Sequence, residues 1–174
     1  MDALEAIFTR KSTRDFSDRP VSDEEIHTIL KAGMSGPICV NARDWSFLVV
    51  REKETLAAMA DGNGRPGQVL KRAAFGILIL GDTDRAFPPA KDYWVIDGAI
   101  AGQNMILAAH ALGIGSVWLG TWPQMDRVEN QRRLFSIPES QIPHSIIAFG
   151  YPADGVEYPE RDLYEEDRVH FEKW

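Results

Sequence analysis

The sequence predicts an α+β fold in which helices flank one central sheet. Three observations carry that expectation: four short apolar runs with the composition of strands, two amphipathic segments opened by helix-start signals, and one long segment that is apolar on nearly every side. At 174 residues the chain has enough material for one sizeable core and little for two, so a single domain over residues 1–174 is expected.

The elements follow in order. Asp2 and Glu5 form a D-x-x-E start ahead of Leu4, Ile7 and Phe8, and Ser22 with Glu25 forms a capping box ahead of Ile26, Ile29 and Leu30. Two short helices therefore bracket the stretch RKSTRDF, residues 10–16. The runs WSFLVV (45–50), FGILIL (75–80), SVWL (116–119) and SIIAFG (145–150) read as strands of one sheet buried on both faces. Between the second and third lies DYWVIDGAIAGQNMILAAHALG (92–113), a buried helix with Gly113 as its C-terminal cap. DGNGRPG (61–67) and GDTDRAFPPAKD (81–92) are rich in turn formers and read as loops. The last stretch carries Tyr164, Phe171 and Trp174 without periodicity, as an arm that covers another surface would.

Composition narrows the function. With 44% hydrophobic and 26% charged residues and no apolar run near the ~18 residues of a membrane span, a soluble globular protein is expected. MDALEAIFTRK lacks a basic leader followed by an apolar stretch, which points to the cytoplasm. Cys39 is the one cysteine, which excludes an intrachain disulfide and a cysteine-based metal cluster. A net charge of −7 argues against general nucleic-acid binding, so any anion site must be local.

RKSTR is the candidate for such a site. Arg10, Lys11 and Arg14 offer cationic donors and Ser12 and Thr13 offer hydroxyls within five residues, a set suited to a phosphate monoester or another localised anion. A solvated charged turn with no ligand uses the same residues. His110 sits in the buried helix, as a hydrogen-bonded core histidine or an acid, and His27, His144 and His170 show no metal spacing. Trp118 and Trp122 flank Leu119-Gly120, as core residues or as the wall of a pocket. Gly113 and Gly115 in LGIG lack the third glycine and the helix start of a dinucleotide fingerprint.

Five stretches in this order, RKSTR (10–14), PICVNARDW (37–45), DGAIAGQNM (97–105), AHALGIGSVWLG (109–120) and GYP (150–152), resemble the FMN-dependent nitroreductase family across nearly the whole chain. The resemblance implies a mixed central sheet in an α+β homodimer whose C-terminal arms are swapped. It also implies one FMN at each end of the shared interface, reduced by NAD(P)H and reoxidised by a small-molecule acceptor such as a nitroaromatic or quinone. It assigns Arg10 and Ser12 to the FMN phosphate and ribityl end, with Lys11 between them also counted as cofactor-binding, Arg14 to the pyrimidine edge of the ring, and the amides of Leu119 and Gly120 to N5 and O4. Pro37, Ile38 and Asn41 would serve the flavin of the other subunit, and Arg161 would add a phosphate-binding cation. No catalytic side chain and no metal are expected, because the chemistry is carried by N5 of FMN. Relatives that dehalogenate, cleave flavin or desaturate peptides share the implied fold, and a non-enzymatic flavin sensor or carrier is the reading from another class. Where the family has Ser after Pro37 and Gln-Pro before Trp45, this chain has Ile38, Arg43 and Asp44, with Arg43 as an anion ligand or as half of a surface pair with Asp44.

Overall fold

The computed structural model describes residues 1–174. Its four strands, β1 (Trp45–Val50), β2 (Phe75–Asp82), β3 (Gly115–Gly120) and β4 (Gln141–Gly150), form one sheet in the order β1-β2-β4-β3. All three strand pairs are antiparallel, and the sheet's mixed character is confined to one isolated parallel bridge between Ser12 and Ser116. The apolar runs thus fall on strands, with β2 and β4 extending past the predicted ends.

The side chains of a strand alternate between faces, so a run that is apolar at every position needs a cover on both. On β2, Phe75, Ile77 and Ile79 join Ile26 and Ile29 of helix α2 (Asp23–Gly33) and Met105, Ile106 and Ala109 of helix α4 (Tyr93–Ala111). Leu78 and Leu80 turn the other way, toward Leu56, Met59 and Ala60 of helix α3 (Lys53–Gly62). The edge strand β1 departs from the expectation of two-sided burial, because five of its six residues are only half-buried.

Both predicted helix starts are present as capping boxes. Asp2 accepts from the Glu5 amide and opens α1 (Ala3–Thr9), and Ser22 accepts from the Glu25 amide and opens α2. Gly113, at φ 77°, takes the left-handed position after α4 that a side chain would resist. α4 buries one stripe, including Trp94, Gly98, Ala101, Gly102, Met105 and Ala109, while Ile96 on the opposite side is 52% exposed. The helix is therefore buried on one side within this chain. α3 and a fifth helix, α5 (Met125–Phe135), add cover that the sequence pattern does not announce; α3 takes in the start of the predicted 61–67 loop and a 3-10 helix over Arg65–Arg72 its end, leaving Asn63 and Gly64 as the turn between them. The 81–92 segment is irregular apart from the end of β2 and a short 3-10 turn at Pro88–Ala90. No helix is long and apolar enough to cross a membrane.

Candidate cofactor site

RKSTR leaves α1 as extended chain rather than as the expected turn. The Thr13 amide donates to the Ser116 carbonyl at 2.8 Å, and the Ser17 amide donates to the Tyr151 carbonyl at 2.8 Å, so the stretch lies along β3 and the chain that follows β4. Extended residues alternate. Thr13 turns inward and is buried, against a face of Gly115 where a Cβ would approach its side chain to 2.7 Å. Ser12 and Arg14 face solvent, and Arg10 is half-buried. This alternation puts Arg10, Ser12 and Arg14 on a common side.

The chain after β4 returns across this stretch. The Tyr158 hydroxyl bonds Thr13 Oγ1 at 2.6 Å, its ring stacks against His110, and the Lys11 ammonium lies 5.2 Å from the ring centre. Lys11 therefore serves the returning segment. Three residues on, the Arg161 guanidinium donates to the Arg10 carbonyl at 2.7 Å. The two arginines line one cleft of about 620 Å³ with Phe8, Glu160, Asp162 and Tyr164, and neither is salt-bridged. Partial burial, and next the charge of Arg161, make the Arg10 guanidinium less willing to hold its proton than usual. Two guanidiniums that converge without an ion pair offer a phosphate monoester charge-assisted donors, although Glu160 and Asp162 share the cleft lining.

β3 carries the other end of the strip. Gly120 lies four residues beyond Ser116, about 13 Å along the strand at ~3.3 Å per residue. Its carbonyl accepts from Arg127 Nη1 at 2.8 Å and Asn63 Nδ2 at 3.3 Å, which fixes the strand end. A Cβ on Gly120 would meet nothing within 4 Å, so that face is open. Leu119 is buried beneath it. Trp118 packs over Gly102 and edge-on to His144, as a core residue, and Trp122 stands edge-on to Trp94. The residues on this strip fit FMN: paired guanidiniums for a phosphate at one end, and open backbone with room for a flat ring toward the other.

Pro37, Ile38 and Asn41 are not part of this strip. They precede β1, at the sheet edge opposite β3, and three strand spacings of ~4.8 Å put about 14 Å of sheet between those edges. Val40, Asn41 and Arg43 all have positive φ, of 44°, 57° and 53°. The segment is tied down by the Cys39 amide, which donates to both oxygens of Asp97 on α4 at 3.1 and 3.3 Å. Behind it lies Asp44, and of the two alternatives for Arg43 the surface pair with Asp44 fails: Asp44 is fully buried, with no hydrogen-bond partner for either carboxylate oxygen, while Arg43 is exposed. Burial first, and then the neighbouring Asp97 carboxylate, raise the Asp44 carboxyl to about 6. Burial and the same two carboxylates push the Cys39 thiol up, the opposite of an activated nucleophile.

His110 and His144 are structural. Thr9 Oγ1 donates to the Glu5 carbonyl at 2.6 Å, so the 2.7 Å contact with His110 requires Nε2 of His110 to be the donor; burial and then the Arg10 charge keep that ring neutral. His144 donates from Nε2 to the Val95 carbonyl at 3.0 Å and lies between Trp94 and Trp118. No cluster of three His, Cys, Asp or Glu side chains is arranged to hold a metal ion. Sequence reasoning missed Arg72, whose guanidinium donates to the Arg14 carbonyl at 3.1 Å, and Tyr158; both act across more than 50 residues of chain, and no local pattern marks them.

Comparison with known proteins places the chain as a whole. The profile of the Nitroreductase family matches residues 7–151. A protein of Methanothermobacter thermautotrophicus, provisionally named an NADH dehydrogenase/NAD(P)H nitroreductase, is 48% identical over 174 residues, covering 100% of this chain and 88% of its own. A crystal structure of a protein from Bacteroides thetaiotaomicron, with the same provisional name, superposes with a TM-score of 0.90 at 36% identity over 99% of this chain and 98% of its own. An FMN-dependent nitroreductase from Clostridium difficile superposes with a TM-score of 0.89 at 28% identity over 98% and 99%.

Proposed function

The chain belongs to the nitroreductase family, and from that premise we propose that it is an FMN-dependent oxidoreductase that takes electrons from NAD(P)H and acts as a homodimer. The observation that carries the cofactor is the convergence of Arg10 and Arg161 on one cleft without a salt bridge. Arg10, Arg161 and Ser12 would hold the phosphate and ribityl end. Arg14 would place its charge at the pyrimidine edge of the ring, and the amides of Leu119 and Gly120 would fix the edge that bears N5 and O4. The chemistry that FMN supplies when bound is ping-pong transfer of an electron pair from NAD(P)H to a nitroaromatic, quinone or related acceptor. The chain's own part is to bind, orient and bias: its cations favour negative charge on the ring, and the open face at Gly120 leaves room for one substrate at a time.

The dimer rests on surface that this chain leaves uncovered. Leu4 and Phe8 of α1 are 63% and 45% exposed, Ile96 of α4 is 52% exposed, and on the arm Phe171 and Trp174 are 78% and 101% exposed. Large apolar side chains left exposed on two helices and the arm support burial against a second copy of the chain. Asn41, about 14 Å of sheet away from the strip in its own chain, would reach the flavin bound by the partner.

The test compares FMN with riboflavin, which lacks the phosphate. Arg10→Gln is expected to weaken FMN by at least tenfold, the worth of a charge-assisted contact, and to leave riboflavin binding unchanged. Equal losses for both flavins would move the phosphate away from Arg10.

A further inference from the structure

Residues 37–43 are held to the rest of the chain by hydrogen bonds at a single point. The Cys39 amide donates to both oxygens of Asp97, and every other hydrogen bond of the segment is internal: the Asn41 amide donates to the Ile38 carbonyl at 3.1 Å and the Ala42 amide to the Cys39 carbonyl at 2.9 Å. The shape held there is an unfavourable one. Val40, Asn41 and Arg43 all have positive φ, and Val40, whose branched side chain resists that region, is 68% exposed, so its own packing does not keep it in place.

What Asp97 can hold depends on its neighbour. Asp44, at the root of the segment, is fully buried beside it with both oxygens unpartnered. From the end of β2 it faces Asp82, whose amide donates to the Asp44 carbonyl at 2.8 Å, and from the segment it faces Cys39, whose thiol is pushed up. His144 of β4 packs on α4 at Gly98, and burial biases its ring toward the neutral form. Neither Asp44 nor Asp97 has a salt-bridged cation. A carboxyl in a dry site without a donor or a cation is best accommodated with its own proton. Protonated, Asp44 is a donor for Asp97 and leaves the Asp97 charge to the Cys39 amide. Ionised, it sets a second negative charge against Asp97 and loosens that grip.

We infer that Asp44 is a positioning residue: the Asp44–Asp97 pair holds one proton between its two carboxyls, that proton keeps Asp97 on the Cys39 amide, and seating Asn41 against the flavin of the other subunit takes the proton up whenever the pair has lost it. The inference rests on the reading of the chain as a homodimer in which Asn41 reaches that flavin.

Amide hydrogen exchange over residues 37–43 tests the proton link without flavin. Full-length wild type and Asp44→Asn, both stripped of flavin, are labelled at pH 5 and pH 7 for times scaled to the intrinsic effect of pH. With the Asp44 carboxyl at about 6, its protonated fraction falls about tenfold over this range. Protection of the Cys39 amide should fall severalfold in the wild type and stay constant in Asp44→Asn, whose amide is a donor at every pH. Calorimetry of riboflavin binding at pH 7, in buffers of different ionisation enthalpy, tests the step to Asn41. Riboflavin has no group that titrates here, so any proton uptake belongs to the protein. The wild type should take up most of a proton per flavin, and Asp44→Asn and Asn41→Ala none. Constant protection in the wild type, or an equal fall in Asp44→Asn, would overturn the proton link, and the wild-type result decides alone if the variant does not fold. Riboflavin binding by the wild type without proton uptake, or equal uptake by Asp44→Asn, would overturn the step to Asn41. Failure of the wild type to bind any flavin would strike the cofactor reading and the Asn41 step with it, while exchange would still decide the proton link.

Discussion

Asp44→Asn should make the protein more stable, and by an amount that depends on pH. The Asp44 carboxyl is fully buried, its oxygens are unpartnered, and its pKa is raised from 3.8 to about 6 by burial and by Asp97. A folded-state pKa above the unfolded one means that the native state holds the proton more tightly. The contribution of Asp44 to stability is therefore greatest at low pH and falls as pH rises from about 4 through about 6. A shift of ~2 units corresponds to a total loss of about 3 kcal/mol, of which roughly half is already incurred at pH 5 and all of it by pH 8. Asparagine is always neutral, and its amide can donate to Asp97 where the ionised carboxyl cannot. The advantage of Asp44→Asn over the wild type should therefore grow by about 1.4 kcal/mol between pH 5 and pH 8. Urea denaturation of both proteins at the two pH values, at one fixed protein concentration, measures this growth, and every pH-independent effect of the substitution cancels from it. A difference that stays flat or shrinks with pH would refute the idea that Asp44 is charged and buried at neutral pH.

Two further outcomes follow from the site. Arg14→Gln should lower the midpoint potential of bound flavin by about 30 to 60 mV, equivalent to about 1.4–2.8 kcal/mol for two electrons, and slow reduction by NAD(P)H; equal potentials in a redox titration would show that this guanidinium does not face the ring. Deleting residues 160–174 removes Arg161 and the exposed aromatic arm, so both dimerisation and flavin should be lost, and a truncated chain that stays dimeric by sedimentation and yellow by absorbance would contradict the arm's role.

Much of the fold is written locally. The capping boxes at Asp2/Glu5 and Ser22/Glu25 begin helices because side chain and backbone satisfy each other within four residues, and the apolar runs become strands because nothing else buries them. α5 was hidden because it buries little beyond Val128 and Gln131, too few to print a period on the sequence. RKSTR was legible as an anion site from its residue types, but its shape was not. Its extended form is imposed by Ser116 and Tyr151, more than 100 residues away, through hydrogen bonds that no local signal encodes. Asp44 misled for a related reason. An aspartate beside an arginine reads as surface, and its burial is set by the strained 39–43 segment and by Asp97 on another helix. Likewise Arg161 acquires meaning only when Tyr158 pins the returning chain on Thr13 and His110.

The visible spectrum of the purified protein, desalted after incubation with excess FMN and then titrated anaerobically with NADPH and NADH, tests the central claim most directly. The account predicts about one protein-bound flavin per chain, bleached by the nicotinamide nucleotides and restored when a quinone or nitroaromatic is added. Absence of protein-bound flavin absorption after desalting would contradict it, and so would bound flavin that neither nucleotide reduces.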